Sequence, residues 1–440
     1  MVTESSVSRD AWGSRLGFIL AAVGSAVGLG NMWRFSYTAA EGGGAIFVLL
    51  YVIFVALIGI PVMTSELVIG RLSQESPAKA IRRLGGPMWA PLGWLFVFCG
   101  FGILSYYSVI AGWTIRLIVD GLRSAVPTDT GAYFTALSTG KWAIVGHLMF
   151  MGITIAIVTA GIQKGLERAA LVMMPMLFFL LLFLAVWAAT LSGAGEAYAF
   201  YLNPDFSQVT RAVIGSAMGQ AFFSLSLGMG ALMTYASYLR TKENLGREAA
   251  IVSLSDFGVA FVFPVIFSFG LQDQVGASTL GALFISLPAA FASLGKFGNL
   301  VTVAFFVMLF FGALTSAISL LEVVVTAFVD AGYQRTQAAV GTGIITALVG
   351  IPSAISLNFL GAADQLVGNF MLILGGFFTV VLIGWKLLPM ADEELAQGLE
   401  NETARKMWGL LIRYLAPPVL LLVLVFTVAR PTWDAIVALF

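Results

Sequence analysis

The chain has 440 residues, 59% of them hydrophobic and only 10% charged, with a mean hydropathy of +0.95. These values exclude a water-soluble domain built around one buried core, and a formal net charge of zero gives no reason to expect a nucleic-acid partner. Cys99 is the single cysteine and His147 the single histidine, so an intrachain disulfide and a His/Cys metal centre are both excluded.

An apolar run of about 20 residues crosses a bilayer as a helix, whereas a membrane β-barrel shows short alternating segments. Runs such as 143–160 and 171–191 are continuous, which predicts an all-α membrane protein. The polar start, Met1 to Asp10, leads straight into an apolar segment and does not resemble a cleavable signal peptide. About eleven transmembrane helices follow, near 12–36, 42–70, 89–122, 142–160, 167–191, 211–239, 247–270, 298–329, 337–356, 364–387 and 408–429. Basic residues gather in alternate connections: Arg71, Lys79, Arg82 and Arg83; Lys164 and Arg168; Arg240, Lys242 and Arg247; and Arg335. The positive-inside rule makes those connections cytoplasmic and puts the N-terminus inside the cell's inner (plasma) membrane. On the opposite side, Leu280 to Leu294 with Pro288 reads either as a re-entrant hairpin or as an ordinary pair of loop helices.

Two spans are interrupted by a Gly-apolar-Gly triplet, Gly28-Leu29-Gly30 and Gly228-Met229-Gly230. Glycine weakens a helix by roughly 1 kcal/mol relative to alanine. Backbone groups freed at a break inside a membrane must find partners, and non-helical backbone survives there only within protein or beside a water-filled cavity. Breaks at corresponding places in two halves mark a transporter's solute site, with half-helix N-termini toward an anionic group and free carbonyls toward a cation. The interrupted spans are first and sixth, so residues 9–191 (helices 1–5) and 211–387 (helices 6–10) read as an inverted five-plus-five repeat, with 408–429 as an extra helix within one transporter domain, 1–440.

Around the first break the chain reads Leu20-Ala-Ala-Val-Gly-Ser-Ala-Val-Gly-Leu-Gly-Asn-Met-Trp-Arg-Phe35. Together with Arg9 and Trp12, Ser105-Tyr-Tyr-Ser108, Trp113, Gln220 to Gly230, Tyr235-Ala-Ser-Tyr238 and Gly312-Ala-Leu-Thr-Ser316, this resembles the neurotransmitter:sodium symporter family, particularly its bacterial hydrophobic amino-acid transporters. The matches run in order along nearly the whole chain. The resemblance implies sodium-coupled symport by alternating access, with two sodium ions and an amino acid as partners, a lipid bilayer as surroundings and no organic cofactor.

Sodium is a small hard cation and is expected to take oxygen ligands. By resemblance, the first sodium site takes the Ala26 carbonyl, Asn31, Ser224, Asp256 and the substrate carboxylate. The second takes the carbonyls of Gly24, Val27 and Gly312 with the hydroxyls of Thr315 and Ser316. Taken singly, serine and threonine in membrane helices more often bond their own backbone or a neighbouring helix. Gly28 and Gly30 are expected to bring backbone N–H groups to the substrate carboxylate, aided by the Tyr107 hydroxyl. The resemblance places the amino group near Ala26, Phe223, Ser224 and Ser226, beside Ser25. Ile103, Tyr107, Phe223, Ser226, Met229, Ser316, Ser319 and Leu320 would line the side-chain pocket. That lining carries no formal charge, which disfavours acidic and basic substrates, and Met229 supplies an adaptable wall.

Asp256 departs from the family's leucine transporter, which has asparagine there and a glutamate four positions on, where this chain has Ala260. An intramembrane carboxylate is a functional candidate by default. Asp256, beside Tyr51, Gln220 and Ser224, is expected to supply the fixed negative charge that chloride supplies in other members. Arg34 with Asp364 matches the family's outer gate. Arg9 with Asp330, supported by Trp12, Ser237 and Tyr238, matches its inner gate; the competing reading of each arginine is a side chain reaching for lipid headgroups. Ser36 replaces a usual proline, Gly42 a usual asparagine, and Ser25 the leucine transporter's asparagine. A channel would need a filter or pore rings, and an enzyme a nucleophile with its base; the sequence displays neither. Alternatives within reach are transport of another small zwitterion and a nontransporting amino-acid sensor.

Overall fold

A computed structural model describes residues 10–125, 129–190, 193–239, 243–262 and 279–439. The described residues are helical and contain no strand. Among the described residues, eight helices are long and apolar enough to cross a membrane: Ala45–Ser73, Pro87–Leu122, Lys141–Thr159, Ile162–Ala189, Lys296–Asp330, Arg335–Ile355, Leu357–Ala396 and Glu402–Val437. The helix Leu245–Val262 covers the first part of the expected segment 247–270, whose remainder lies outside the described residues. Within segment 280–294, residues 279–292 run helically, with Pro288 near the start of the portion Leu287–Ala292. Phe284 anchors this stretch to Trp113, Phe134 and Phe306, ring centroids 5.3, 5.9 and 5.8 Å apart.

Lys296–Asp330 and Pro87–Leu122 pack against each other and against Lys141–Thr159, forming a scaffold beside the interrupted spans. Helices in lipid gain from close backbone approach, which small residues permit. A Cβ on Gly112 would stand 2.4 Å from the Gly146 carbonyl carbon, so neither position tolerates a side chain without separating these helices. His147, fully buried, ties the same junction to a third helix. Its Nδ1 is 3.0 Å from the Ser108 hydroxyl and its Nε2 2.8 Å from the Ala347 carbonyl.

Both glycine triplets interrupt their helices. Arg15–Ala26 ends where Val27 turns extended (φ −72°, ψ 106°), and helical structure resumes at Gly30 as a π-turn leading into Phe35–Glu41. Ser36 continues that second half in place of a proline. Arg211–Ser224 ends before a left-handed path through Ser226, Gly228 and Gly230 (φ 55°, 76° and 73°), and Ala231–Ala236 follows.

Candidate functional site

The two breaks face each other across a narrow cavity of about 20 Å³, lined by Ser25, Ala26, Gly28, Gly30, Ile103, Tyr107, Phe223, Ser226, Met229, Ser316 and Leu320. Ser319 stands just behind this wall, its hydroxyl 2.8 Å from that of Ser25. The glycines of the first break are there because nothing larger fits. A Cβ on Gly28 would lie 2.5 Å from Ser316 Oγ and 2.8 Å from Tyr107 OH, and one on Gly30 would lie 2.9 Å from the Phe223 ring. The Tyr107 hydroxyl accepts the Leu29 N–H at 3.2 Å, and the Gly28 N–H goes to Asn31 Oδ1 at 2.9 Å. Ser226 donates to the Ser25 carbonyl at 2.7 Å and so joins the two breaks directly.

Beside the cavity lies a buried polar cluster. Asn31 Nδ2 donates to Asp256 Oδ1 at 2.6 Å and to the Asp256 carbonyl at 3.0 Å. The Ser224 hydroxyl is 2.8 Å, and the Tyr51 hydroxyl 2.9 Å, from Asp256 Oδ2. Asn31, Ser224, Tyr51 and Asp256 are all essentially without solvent exposure, and among the described residues no cationic side chain pairs with Asp256. Gln220 donates to the Gly30 carbonyl at 2.8 Å while its own Oε1 is buried without a partner among the described residues. This oxygen-rich set carries one carboxylate and fits a hard monovalent cation.

A second group of oxygens forms where the first span meets Lys296–Asp330. Ser316 Oγ is 3.3 Å from the Gly24 carbonyl, 3.2 Å from that of Ser25 and 3.1 Å from that of Gly312. Thr315 bonds back to the Phe311 and Gly312 carbonyls at 3.0 and 3.1 Å. Its Cβ is 3.0 Å from where a Gly24 side chain would begin, and Val27 follows in extended backbone. Gly24, Val27, Gly312, Thr315 and Ser316 thus belong to one helix–helix seam.

The outer pair differs from expectation: Arg34 and Asp364 are not in ion-pair contact. Arg34 donates to Asn369 Oδ1 and lies 4.6 Å above the Phe223 ring, while Asp364 accepts from the Tyr106 hydroxyl at 3.0 Å. Asn369 and Tyr106 each take one member of the expected pair. On the inner side Arg9 lies outside the described residues. Asp330 accepts the Ser76 N–H at 2.5 Å. Trp12 donates from its indole to the Tyr235 carbonyl at 2.9 Å and from its backbone to Tyr238 at 3.4 Å. Ser237 turns back onto the Thr234 carbonyl at 2.7 Å.

Two further carboxylates, Glu66 and Glu322, also have defined places. Glu322, fully buried, accepts from Tyr238 OH at 2.5 Å and from Arg335 Nη2 at 2.5 Å. Glu66, also fully buried, accepts the Gly228 N–H at 2.8 Å, pinning the second break, while its Oε2 has no partner among the described residues. Each interrupts an apolar run as a lone acid, which is the signal that singled out Asp256. Glu167 completes the closure of the inner side, accepting from the Gly13 N–H and the Ser14 hydroxyl, both at 2.7 Å.

Paired helix breaks around an oxygen-lined cavity, closed beneath by an ion-paired network, define a secondary transporter of the interrupted-helix class. Comparison with known proteins agrees. The sodium:neurotransmitter symporter family profile matches residues 9–136 and 131–436. The sodium-dependent transporter YhdH of Bacillus subtilis, itself uncharacterized, is 35% identical over 94% of this chain and 96% of its own length. An uncharacterized sodium-dependent transporter of Methanocaldococcus jannaschii is 33% identical over 96% of this chain and 91% of its own. The crystal structure of MhsT in complex with L-phenylalanine superposes with a TM-score of 0.88 at 38% identity, covering 94% of this chain and 99% of that one. Sodium-dependent nutrient amino acid transporter 1 of Drosophila pseudoobscura is 25% identical over 90% of this chain and 70% of its own. The chain belongs to the sodium:neurotransmitter symporter family. It is a multi-pass, sodium-dependent transporter and not an enzyme.

Proposed function

We propose that the protein imports neutral, mainly hydrophobic amino acids across the cell's inner membrane, coupled to two sodium ions and without chloride. The observation that carries this reading is the Asp256 carboxylate, held between the interrupted spans by three neutral side chains with no cationic partner. A buried unpaired anion is costly, and a bound cation removes the cost. Its fixed charge stands in for an added anion. One sodium ion is assigned to the Ala26 carbonyl, Asn31, Ser224 and Asp256, completed by the substrate carboxylate, and the other to Gly24, Val27, Gly312, Thr315 and Ser316. The phenylalanine bound by MhsT and the uncharged lining here support a neutral amino acid as co-substrate.

In this reading, sodium across the seam of Gly24 and Ser316 favours the form open to the outside. Substrate then bridges the two breaks, Arg34 and Phe223 close above it, and the network of Trp12, Tyr238, Glu322 and Arg335 opens below. Residues 9–191 and 211–387 act as the two inverted units, with a cytoplasmic N-terminus. Because substrate supplies a sodium ligand, each must raise the other's affinity by the same factor. Uptake of labelled phenylalanine, leucine, alanine, glutamate and lysine into proteoliposomes tests this, with a sodium gradient and with gluconate in place of chloride. Accumulation of the three neutral amino acids is expected in both media. A steep chloride requirement, sodium-independent binding, or preference for glutamate or lysine would overturn the reading.

A further inference from the structure

Leu357–Ala396 and Glu402–Val437 meet around a groove of about 490 Å³ lined in part by Asp392, Arg405, Lys406, Leu410, Arg413 and Tyr414. Three cations stand here against one carboxylate, and they are not equally engaged. Arg405 is held internally, its Nε 3.1 Å from Asp392 and its Nη1 donating to the Leu399 and Glu400 carbonyls at 2.8 and 3.2 Å. Lys406 pairs with Glu402 at 2.6 Å where both side chains are exposed, a pairing that holds them weakly. Arg413 pairs with no carboxylate among the described residues. Its Nε is shut away from solvent without a hydrogen-bond partner among the described residues, and its guanidinium carbon lies 5.5 Å from the Tyr414 ring centroid.

Arg413 follows Arg405 by eight positions, about 12 Å along the helix at 1.5 Å per residue. It therefore stands deeper toward the hydrocarbon than the other two cations, where an unpaired charge calls for an anion. A second groove of about 440 Å³ adjoins the first, sharing Leu410 and Tyr414 and otherwise lined by Met407, Leu411 and Leu415. Apolar surface thus adjoins the cationic recess, an arrangement that suits a phosphate head with a hydrocarbon tail. The recess lies on the basic face of the protein: Glu394 bonds Arg71 at 2.6 Å, and Lys386 donates to the Gly85 carbonyl, next to Arg82 and Arg83, at 2.5 Å.

We propose that this recess binds an anionic phospholipid, its phosphate on the Arg413 guanidinium and an acyl chain along Leu410 and Tyr414. A guanidinium presents two parallel donors to a phosphate, and basic recesses between membrane helices take anionic headgroups. The test is native mass spectrometry with thermal-shift measurement on the full-length protein in neutral detergent. It is titrated with dioleoyl-phosphatidylglycerol, dioleoyl-phosphatidylcholine or soluble glycerol 3-phosphate. Phosphatidylglycerol is expected to give a discrete adduct and to raise the melting temperature more than phosphatidylcholine, and glycerol 3-phosphate to do neither. Arg413→Gln should weaken phosphatidylglycerol binding about fivefold, the factor matching about 1 kcal/mol per basic residue at an anionic surface. Arg413→Lys should keep most of the affinity, and sodium-dependent amino-acid binding reports that both variants are folded. Equal affinity of wild type and Arg413→Gln for phosphatidylglycerol, no preference over phosphatidylcholine, or an equal effect of glycerol 3-phosphate would each overturn the proposal.

Discussion

Replacing Gly28 by alanine isolates the steric demand at the heart of the site. The Gly28 backbone is outside the left-handed region, so alanine meets no conformational barrier and the added methyl is the whole perturbation. That methyl would sit 2.5 Å from Ser316 Oγ, 2.8 Å from Tyr107 OH and 3.5 Å from the Gly312 carbonyl. Both hydroxyls must retreat, and each is tethered: Ser316 to the Gly24, Ser25 and Gly312 carbonyls, Tyr107 to the Leu29 N–H. Forcing one methyl into such packing costs about 1–3 kcal/mol. Both displaced groups belong to the proposed sodium and substrate sites, so on that proposal the loss should appear in binding as a roughly 5- to 150-fold weakening. Scintillation proximity binding of labelled phenylalanine across a sodium titration reads both affinities. Gly152→Ala, at a position with nothing within 4 Å, is the control and should bind within twofold of wild type. If folded Gly28→Ala protein also binds within twofold, the packing described around Ser316 and Tyr107 is not what shapes the site.

Asp256→Asn should abolish sodium-dependent binding in gluconate and recover part of it in chloride, read by the same assay in the two salts; unchanged binding in gluconate would refute the fixed-charge role. Glu66→Ala strands the buried Gly228 N–H and should cost about 1–3 kcal/mol, seen as a lower melting temperature, whereas Glu66→Gln keeps the acceptor and should stay near wild type. Equal melting of the two variants would show that Gly228 does not depend on that carbonyl-like oxygen. Glu322→Ala leaves the largely buried Arg335 guanidinium without its close partner, a loss of about 3–5 kcal/mol that falls on the inward-closed form. Hydrogen exchange of the Trp12 and Gly13 amides should then accelerate by at least tenfold, and unchanged protection would separate Glu322 from the inner closure.

The sequence makes the helix breaks, and much of what surrounds them, readable for a physical reason. Glycine triplets in otherwise apolar spans have no cheap explanation in lipid, and Asn31, Ser224 and Asp256 are polar groups that cannot face hydrocarbon, so they must gather. What the sequence hides is choice among near neighbours. Arg34 has Asn369 and the Phe223 face within reach as well as Asp364, and side-chain rotation decides among them. Glu66 and Glu322 bond Gly228 and Tyr238, 162 and 84 positions away, distances over which no local pattern reports, while Arg335, 13 positions on, also pairs with Glu322. The lone carboxylates themselves were visible; their partners were not.

The two triplets look alike in sequence, yet glycine serves a different need in each. At the first, Gly28 and Gly30 are required for space, because Ser316, Tyr107 and Phe223 crowd the chain. At the second, Gly228 and Gly230 have φ of 76° and 73°, a conformation other residues adopt at a cost, and a Cβ on Gly228 would also strike the Leu372 carbonyl at 2.0 Å. The first break is thus held by side chains that also line the cavity. The second is fixed by its own backbone and by Glu66 on the Ala45–Ser73 helix. The two similar motifs thus differ in what fixes them: crowding by neighbouring side chains at the first, backbone conformation at the second.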